Sequence, residues 1–545
     1  MKDYLKEQIA AVLTTLGFDI PKEDVVLEKP KIAEHGDLST NIAMMLARSA
    51  KRNPREIGQS MLDALRTALD PDKIAAVEMA GPGFINFRFA SAHLYDSLRA
   101  ILDRGDDFGK SQEHAGKTVN VEWVSANPTG PLHAGHGRQV CIGATVCSLL
   151  EWTGWTVTRE YYFNNAGSQM NNLASSVRER YLALLGETVD EDKILYAGPY
   201  IHDIAREIHE ETGDEAREAP LDFFRKRGEE RCFAMIRRTL ETLNVNHDVF
   251  YNEDRLYTEG KIDDVLRLLR SKDLVYDKDD AVWLKTMEFG ADKDRVIVKN
   301  SGEPTYRLPD IAYHREKVLQ GYDRIIDIFG ADHIATIPDV LASVRAMDLG
   351  TEHIDVIIHQ MVSFVNEGTA VKMSKRSGNV YYLDDLIADV GVDAVRYFFI
   401  MRSANSHLEF DLKLAQERSE DNPVYYLQYA HARIASILRF AESEGLSDSG
   451  QADLALLTHA SEIALIKQLQ DFPDWVALSA RTYETQHLCT YLHTCATAFH
   501  KFYHDCRVVT EDGALSATRL ALCRATKQVL RNGFAIIGIN APESM

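Results

Sequence analysis

Two imidazoles, His133 and His136, stand three residues apart in the stretch Ser125-Ala126-Asn127-Pro128-Thr129-Gly130-Pro131-Leu132-His133-Ala134-Gly135-His136-Gly137-Arg138. Imidazoles so spaced can donate hydrogen bonds to negative charge building on phosphate oxygens. The stretch follows an alternating apolar run, Thr118 to Val124, that reads as a strand, and it opens an apolar segment, Val140 to Leu150, that reads as a helix. A strand, a tight turn and a helix start form a ready phosphate site, because free backbone N–H groups and the positive end of the helix dipole face the turn. This reading places both histidines on one side of the first helical turn. It also has Gly135 and Gly137 remove Cβ atoms where a ligand approaches the backbone. Taken alone, the pattern serves equally well as a Gly/Pro-rich turn carrying two solvated histidines.

A second candidate lies far downstream. Val371-Lys372-Met373-Ser374-Lys375-Arg376-Ser377-Gly378-Asn379 places two lysines in a Ser/Gly-rich loop, between the strand-like Val356-Ile357-Ile358 and Val380-Tyr381-Tyr382-Leu383. Such a loop is cationic and could close over a polyphosphate, although a solvated basic turn is the simpler reading of it in isolation.

The elements that must position these residues can be read in order. To about residue 112 the pattern is a small α+β domain: Leu5, Ile9, Val12, Leu13 and Leu16 share a helix face, Gly17 ends that helix, Ser39 and Thr40 are cap candidates for a second, and Pro54 opens a third. Ile85, Phe87 and Phe89 then alternate as a strand. Residues 113–400 read as a Rossmann-type α/β domain with a parallel sheet, since Trp155 to Tyr162 completes a βαβ crossover after the first motif. A charged, mainly helical insertion spans about 168–270. The sheet is expected to resume at Ala281-Val282-Trp283-Leu284 and Arg295-Val296-Ile297-Val298, followed by a strand from Arg324 to Phe329 that ends in Gly330-Ala331-Asp332-His333. Polar clusters fall at the ends of apolar runs, which is the layout of a site built on strand ends. Residues 401–545 read as an α-helical bundle. In it Tyr425, Tyr429 and Arg433 share a helix face that could stack on splayed RNA bases, or be buried aromatics of the bundle.

Composition narrows the classes. At 545 residues the chain is too long for one core. No apolar run approaches the ~18 residues of a membrane span, and Met1-Lys2-Asp3-Tyr4-Leu5-Lys6-Glu7 is unlike a signal peptide, so a cytoplasmic location with no membrane partner is expected. Seven cysteines without a C-x-x-C pair argue against a disulfide framework and a structural zinc. His487, Cys489, His493, Cys495, His500, His504 and Cys506 could be imagined as metal ligands, but Leu488, Tyr491, Leu492, Phe499 and Phe502 at helical spacing favour a core helix. A net charge of -21 does not advertise a polyanion partner, yet nucleic-acid binding depends on local patches rather than the total.

Taken together and in this order, the two motifs resemble the His-Ile-Gly-His and Lys-Met-Ser-Lys-Ser signatures of class I aminoacyl-tRNA synthetases, with Ala134 in place of Ile and Arg376 in place of the last Ser. Val121-Glu122-Trp123, Asn127-Pro128-Thr129-Gly130-Pro131, Glu160-Tyr161-Tyr162-Phe163-Asn164-Asn165-Ala166-Gly167, Pro304-Thr305-Tyr306 with Pro309-Asp310-Ile311-Ala312, and Asn422-Pro423-Val424 with Tyr429-Ala430-His431-Ala432-Arg433 are similar to the bacterial arginyl-tRNA synthetase family. The resemblance runs to Gly538-Ile539-Asn540-Ala541-Pro542-Glu543. It implies ATP-dependent activation of L-arginine and transfer to its tRNA. The three parts would be a tRNA-contacting domain, a catalytic domain and an anticodon-binding domain in a monomer that needs no structural zinc and takes Mg²⁺ with ATP. By resemblance His133, His136, Lys372 and Lys375 are catalytic, Gly135 and Met373 join them on ATP, and Glu122, Asn127, Tyr306, Asp310 and Asp332 hold arginine, with His333 beside the last. Tyr425, Tyr429 and Arg433 would touch tRNA.

Two rivals are a nucleotidyl transferase activating another small acid without tRNA, and an RNA-binding regulator without turnover. The four intact imidazoles and lysines weigh against the second. Lys375→Ala should cost about 3 kcal/mol of transition-state stabilisation, on the order of a hundredfold in rate, with a much smaller effect on ATP affinity. Unchanged turnover in steady-state kinetics would make the loop a bystander.

Overall fold

Leu5, Ile9, Val12 and Leu13 form the buried face of an opening helix, Lys2–Thr15, in a computed structural model that describes residues 1–30, 32–370, 381–446 and 452–545. This helix meets Ile57, Met61 and Leu65 of Pro54–Ala68 and the inward residues Ile85 and Phe87 of a three-stranded antiparallel sheet. Pro54 occupies the first turn of its helix, as expected, and Asn53 caps it by accepting from the Arg55 N–H at 2.9 Å. Ser39 and Thr40 lie in the strand Leu38–Thr40 and Asn41 takes the cap position of the second helix, but the Thr40 hydroxyl accepts the N–H of its first residue, Ile42, at 3.3 Å, so of the two candidates Thr40 serves the helix start and Ser39 does not. The edge strand pairs with Phe84–Phe89, so backbone that would otherwise turn into a helix is committed to a ladder.

The chain divides into two compact units. The first comprises Met1–Phe108, Arg433–Phe472 and Thr497–Val529, and the second Gly109–Ala432, Pro473–Ala496 and Leu530–Met545. The C-terminal helices Pro423–Ser443, Gln486–Asp505 and Gly513–Ile537 contribute residues to both. In Gln486–Asp505, Leu488, Cys489, Leu492, Cys495, Phe499 and Phe502 are buried, which is core packing. Among the described residues no group of three His, Cys, Asp or Glu side chains is arranged to hold a metal, and no helix is long and apolar enough to cross a membrane.

The second unit is built on five parallel strands: β1 (Thr118–Glu122), β2 (Thr156–Phe163), β3 (Val249–Asn252), β4 (Arg324–Gly330) and β5 (Ile354–His359), in the order β5-β4-β1-β2-β3. Helix α1 (His136–Trp152) makes the crossover from β1 to β2. Three helices, Ser168–Leu184, Pro199–Thr212 and Leu221–Thr242, fill the insertion. Edge strand β3 falls inside the stretch expected to be helical; four residues are too few for a pattern to register. Helix α2 (Arg307–Leu319) leads into β4. From β1 the chain proceeds to β2 on one side and later returns to β4 on the other, so a crevice opens at the carboxyl ends of β1 and β4.

Ala281–Leu284 and Arg295–Val298, expected to resume the parallel sheet, instead form a separate antiparallel sheet with Val275–Lys278. Asp279 and Asp280, both at positive φ (52° and 56°), make the two-residue turn of a hairpin. So short a turn joins antiparallel strands only.

Trp123, at the end of β1, is fully buried against α1, and a Cβ at Gly143 would overlap its indole. Gly143→Ala should therefore destabilise the protein by about 1–3 kcal/mol in denaturant unfolding, through overpacking. A variant as stable as the parent would mean the indole can shift freely.

Candidate active site

Beyond β1 the backbone enters the left-handed region at Val124 (φ 71°) and Ser125 (φ 42°). A β-branched residue there is strained, and surrounding contacts must hold it. Trp123 supplies the anchor, its ring tilted against that of His247 with centroids 4.1 Å apart. The kink returns the Ser125 hydroxyl to donate to Glu122 Oε1 at 2.9 Å and to accept from the Tyr162 N–H at 3.1 Å.

The segment carrying the imidazoles is zipped to residues 381–383. The Ala134 N–H donates to Tyr381 O and the Leu383 N–H to Leu132 O, each at 2.8 Å. Helix α1 starts at His136, so His133 lies before the helix, in a bridge with Tyr382, and not on its first turn. The rings nonetheless meet, stacked with centroids 3.5 Å apart. The His133 backbone N–H donates to His136 Nδ1 at 3.2 Å, which puts the proton of a neutral His136 on Nε2. Gly135 lines the cavity described below, but Gly137 answers to packing rather than to a ligand: a Cβ there would overlap the Phe399 ring and stand 2.9 Å from Leu383. Lys372, Met373 and Lys375 lie outside the described residues. On either side of them, Ala370 pairs with Val365 and Tyr381 lines the cavity.

That cavity, about 790 Å³, opens at the carboxyl ends of β1, β2, β4 and β5. It brings together Glu122, Asn127, His133, Gly135, His136, Asp310, Asp332 and His333. Asn127 donates to Gln169 Oε1 at 2.7 Å, and Asp332 stands exposed at the rim. Tyr306 does not line it; the residue is 60% exposed, with the Arg307 guanidinium 5.1 Å from its ring centre. Tyr425 and Tyr429 lie elsewhere in the second unit, half-buried, with near-parallel rings 6.2 Å apart, and Tyr425 borders a separate cavity of about 660 Å³. Arg433 sits in the first unit, 5.1 Å from the centre of the Tyr503 ring.

One end of the cavity is acidic. Glu122 is in register with Asp327 on β4 and with Glu160 on β2, so three carboxylates stand side by side across the central strands. The Lys317 ammonium, fully buried on α2, donates to Glu122 Oε2 at 2.8 Å and to Asp327. His314 Nε2 lies 3.2 Å from Asp327 Oδ2, while Glu160 accepts from the Tyr313 hydroxyl and the Asn120 amide, both at 2.6 Å. Burial alone would raise Asp327, but Lys317 and His314 outweigh it and hold the carboxyl below the usual range. Asp310 forms no such ion pair among the described residues. Burial pushes it up to about 7, with Glu253 and Glu122 adding to the shift against opposing pulls from His314 and Arg307. Burial also lowers His359, on the opposite wall, to about 4.

The sequence reading missed Lys317, His314, Asp327, Glu253 and Tyr162. Two signals were present: Asp310, His314 and Lys317 recur at i, i+4 and i+7 within one helix, and Asp327 interrupts the apolar run Ile325 to Phe329. Lys317→Met removes the buried cation that two carboxylates share, leaving Asp327 only His314 and Glu122 only a hydroxyl, and should cost about 3–5 kcal/mol, measured by denaturant unfolding. Unaltered stability would show that the ammonium is not what offsets their charge.

Comparison with known proteins agrees with this arrangement. The family described as "tRNA synthetases class I (R), catalytic domain" matches residues 97–398, "Arginyl tRNA synthetase N terminal domain" matches 3–89 and "DALR anticodon binding domain" matches 427–545. An arginine–tRNA ligase of Salinibacter ruber is 48% identical over 563 residues, covering 100% of both chains, and one of Pelodictyon phaeoclathratiforme is 45% identical with the same coverage. The fold is shared with Thermus thermophilus arginyl-tRNA synthetase, at a TM-score of 0.78 and 20% identity over 100% of both chains, and with the Plasmodium falciparum enzyme, at 0.75 and 17% over 100% of this chain and 99% of that one. Given a catalytic-domain match over more than half its length and full-length relatives at such identity, the chain belongs to the arginyl-tRNA synthetase family.

Proposed function

We propose that this protein activates L-arginine with ATP and transfers the arginyl group to tRNA, with both small substrates held in the cavity at the carboxyl ends of β1 and β4. The observation that carries this reading is the cavity's polarity. A stacked imidazole pair stands in the same chamber as an acidic end whose buried Asp310 forms no ion pair among the described residues.

The arginine carboxylate attacks the α-phosphorus of ATP in line, pyrophosphate departs, and a ribose hydroxyl at the tRNA terminus then takes the arginyl group. The chemistry needs no side-chain nucleophile, so it rests on positioning and on charge stabilisation. His133 and His136 donate to the phosphate oxygens, beside the start of α1 and with Gly135 keeping the approach open. Lys372, Met373 and Lys375 complete the ATP site from the adjoining segment and draw off pyrophosphate. Imidazoles and backbone amides suit phosphate oxygens rather than a hard cation, so Mg²⁺ arrives with ATP, held by phosphate and water.

The guanidinium is flat, permanently charged and carries only donors. Asp310 is its principal acceptor, with Glu253 behind. Glu122 has both oxygens engaged, by Ser125 and Lys317, and so shapes the pocket more than it grips the cation. Asn127 meets the amino acid's polar end, and Asp332 contributes from the rim, whereas Tyr306 stands outside the cavity. Tyr425, Tyr429 and Arg433 are proposed as RNA contacts, supported by the half-buried parallel rings.

Arginine-dependent pyrophosphate exchange, run with and without total tRNA, tests the reaction; exchange driven by another acid and indifferent to arginine would overturn it. Asp310→Asn should raise the KM for arginine on the order of a hundredfold and leave that for ATP nearly unchanged. Because Asp310 titrates near 7 and arginine binds its charged form, the KM for arginine should rise about tenfold for each pH unit below that value and level off above it. Asp310→Asn should abolish this slope in initial-rate measurements. A slope that survives the substitution belongs to another group.

A further inference from the structure

Tyr162 stands out among the residues lining the cavity. It sits at the carboxyl end of β2, is 8% exposed, and has a hydroxyl that makes no hydrogen bond within standard geometry. The neighbouring Tyr313, with its ring centre 4.4 Å away, spends its own hydroxyl on Glu160 at 2.6 Å. The Tyr162 ring also stacks on Tyr251 with centroids 6.1 Å apart, and its backbone N–H is held by Ser125 at 3.1 Å. The side chain is thus packed against a cluster of two rings and its backbone is tied to the Ser125 kink. Buried polar atoms without partners are rare in folded proteins, and in a cavity wall they mark a place where a ligand completes the bonding.

The partner can be described from its chemistry. Asp310 and Glu122 line the same cavity, and Glu253 faces the Tyr162 hydroxyl. A phenol between carboxylates can donate its proton to one of them, which leaves the oxygen lone pairs directed at whatever enters. A cationic group rich in N–H donors suits such a site, and a planar guanidinium has donors left over after one carboxylate has taken two.

We propose that Tyr162 is a specificity-determining residue for the arginine side chain, its hydroxyl oxygen accepting a guanidinium N–H that the carboxylates leave unpaired. The inference rests on the arginine reading of this cavity. A lysine ammonium, whose three donors are tetrahedral, cannot serve an in-plane acceptor and the Asp310 carboxylate in the same way.

The test is Tyr162→Phe in the full-length protein, assayed by arginine-dependent pyrophosphate exchange in the presence of total tRNA, alongside thermal unfolding. The expected result is a KM for arginine raised about tenfold, with kcat and the KM for ATP changed by less than about twofold. Because the hydroxyl makes no hydrogen bond within standard geometry and only faces Glu253 in the free protein, the unfolding midpoint should stay nearly level. Unchanged arginine KM overturns the proposal, as does a lowered midpoint accompanied by equal losses for both substrates, which would assign the hydroxyl to the fold. Asp310→Asn run beside it separates two kinds of failure. If that variant loses arginine affinity while Tyr162→Phe does not, the role of Tyr162 falls and the pocket stands. If both are silent, the arginine reading of the cavity has failed.

Discussion

Three carboxylates in register across three adjacent parallel strands cannot remain charged in a protein interior without help. Asp327, Glu122 and Glu160 form such a row, on β4, β1 and β2, where like charges opposite one another repel and burial strengthens the repulsion. Lys317 is inserted from α2 between the first two, while Tyr313 and Asn120 supply donors to the third. This arrangement constrains everything around it. It ties α2 to β1 and β4 at the point where the sheet's winding reverses, and it orients the strand ends that open into the cavity.

The consequence for chemistry lies in how charge is distributed. With Lys317 and His314 neutralising Asp327 and Lys317 holding Glu122, the acidity available to a ligand is concentrated on Asp310, whose carboxyl is shifted upward because burial outweighs the pull of His314 and Arg307. A pocket of that kind is preorganised for a cation brought from outside, and an empty pocket partly relieves its own repulsion by binding a proton. At the other end of the chamber the stacked imidazoles are placed by backbone pairing between residues 132–134 and 381–383. Residues 381–383 are therefore joined to the histidine segment by main-chain hydrogen bonds.

Strain is concentrated at the same place. Val124 and Ser125 adopt left-handed backbone just past β1, and the buried Trp123, fitted against Gly143 and His247, keeps them there. Ser125 repays part of that strain by bonding Glu122 and the Tyr162 backbone, so the kink links the acidic row to the β2 wall of the cavity.

Much of this was legible in the order of residues. The histidine pair, the strand and turn before it and the helix after it, the βαβ crossover and the helical third all follow from local pattern, because periodicity and turn chemistry act over a few residues. Local pattern also misled where short strands were concerned: β3 was too brief to register, and Ala281–Leu284 and Arg295–Val298 carry strand residues whatever sheet they join. What only the tertiary structure decided is which side chains are neighbours. No spacing announces that residues 122, 160 and 327 stand abreast, that Lys317 is the cation between two of them, that Gly137 makes room for Phe399, or that Tyr306 lies outside the cavity while Tyr162 lies within it. The physical reason is that a strand's register against a distant strand, and the burial that follows from it, are set by the packing of the whole sheet, and it is burial that turns an ordinary carboxylate or hydroxyl into one with a task.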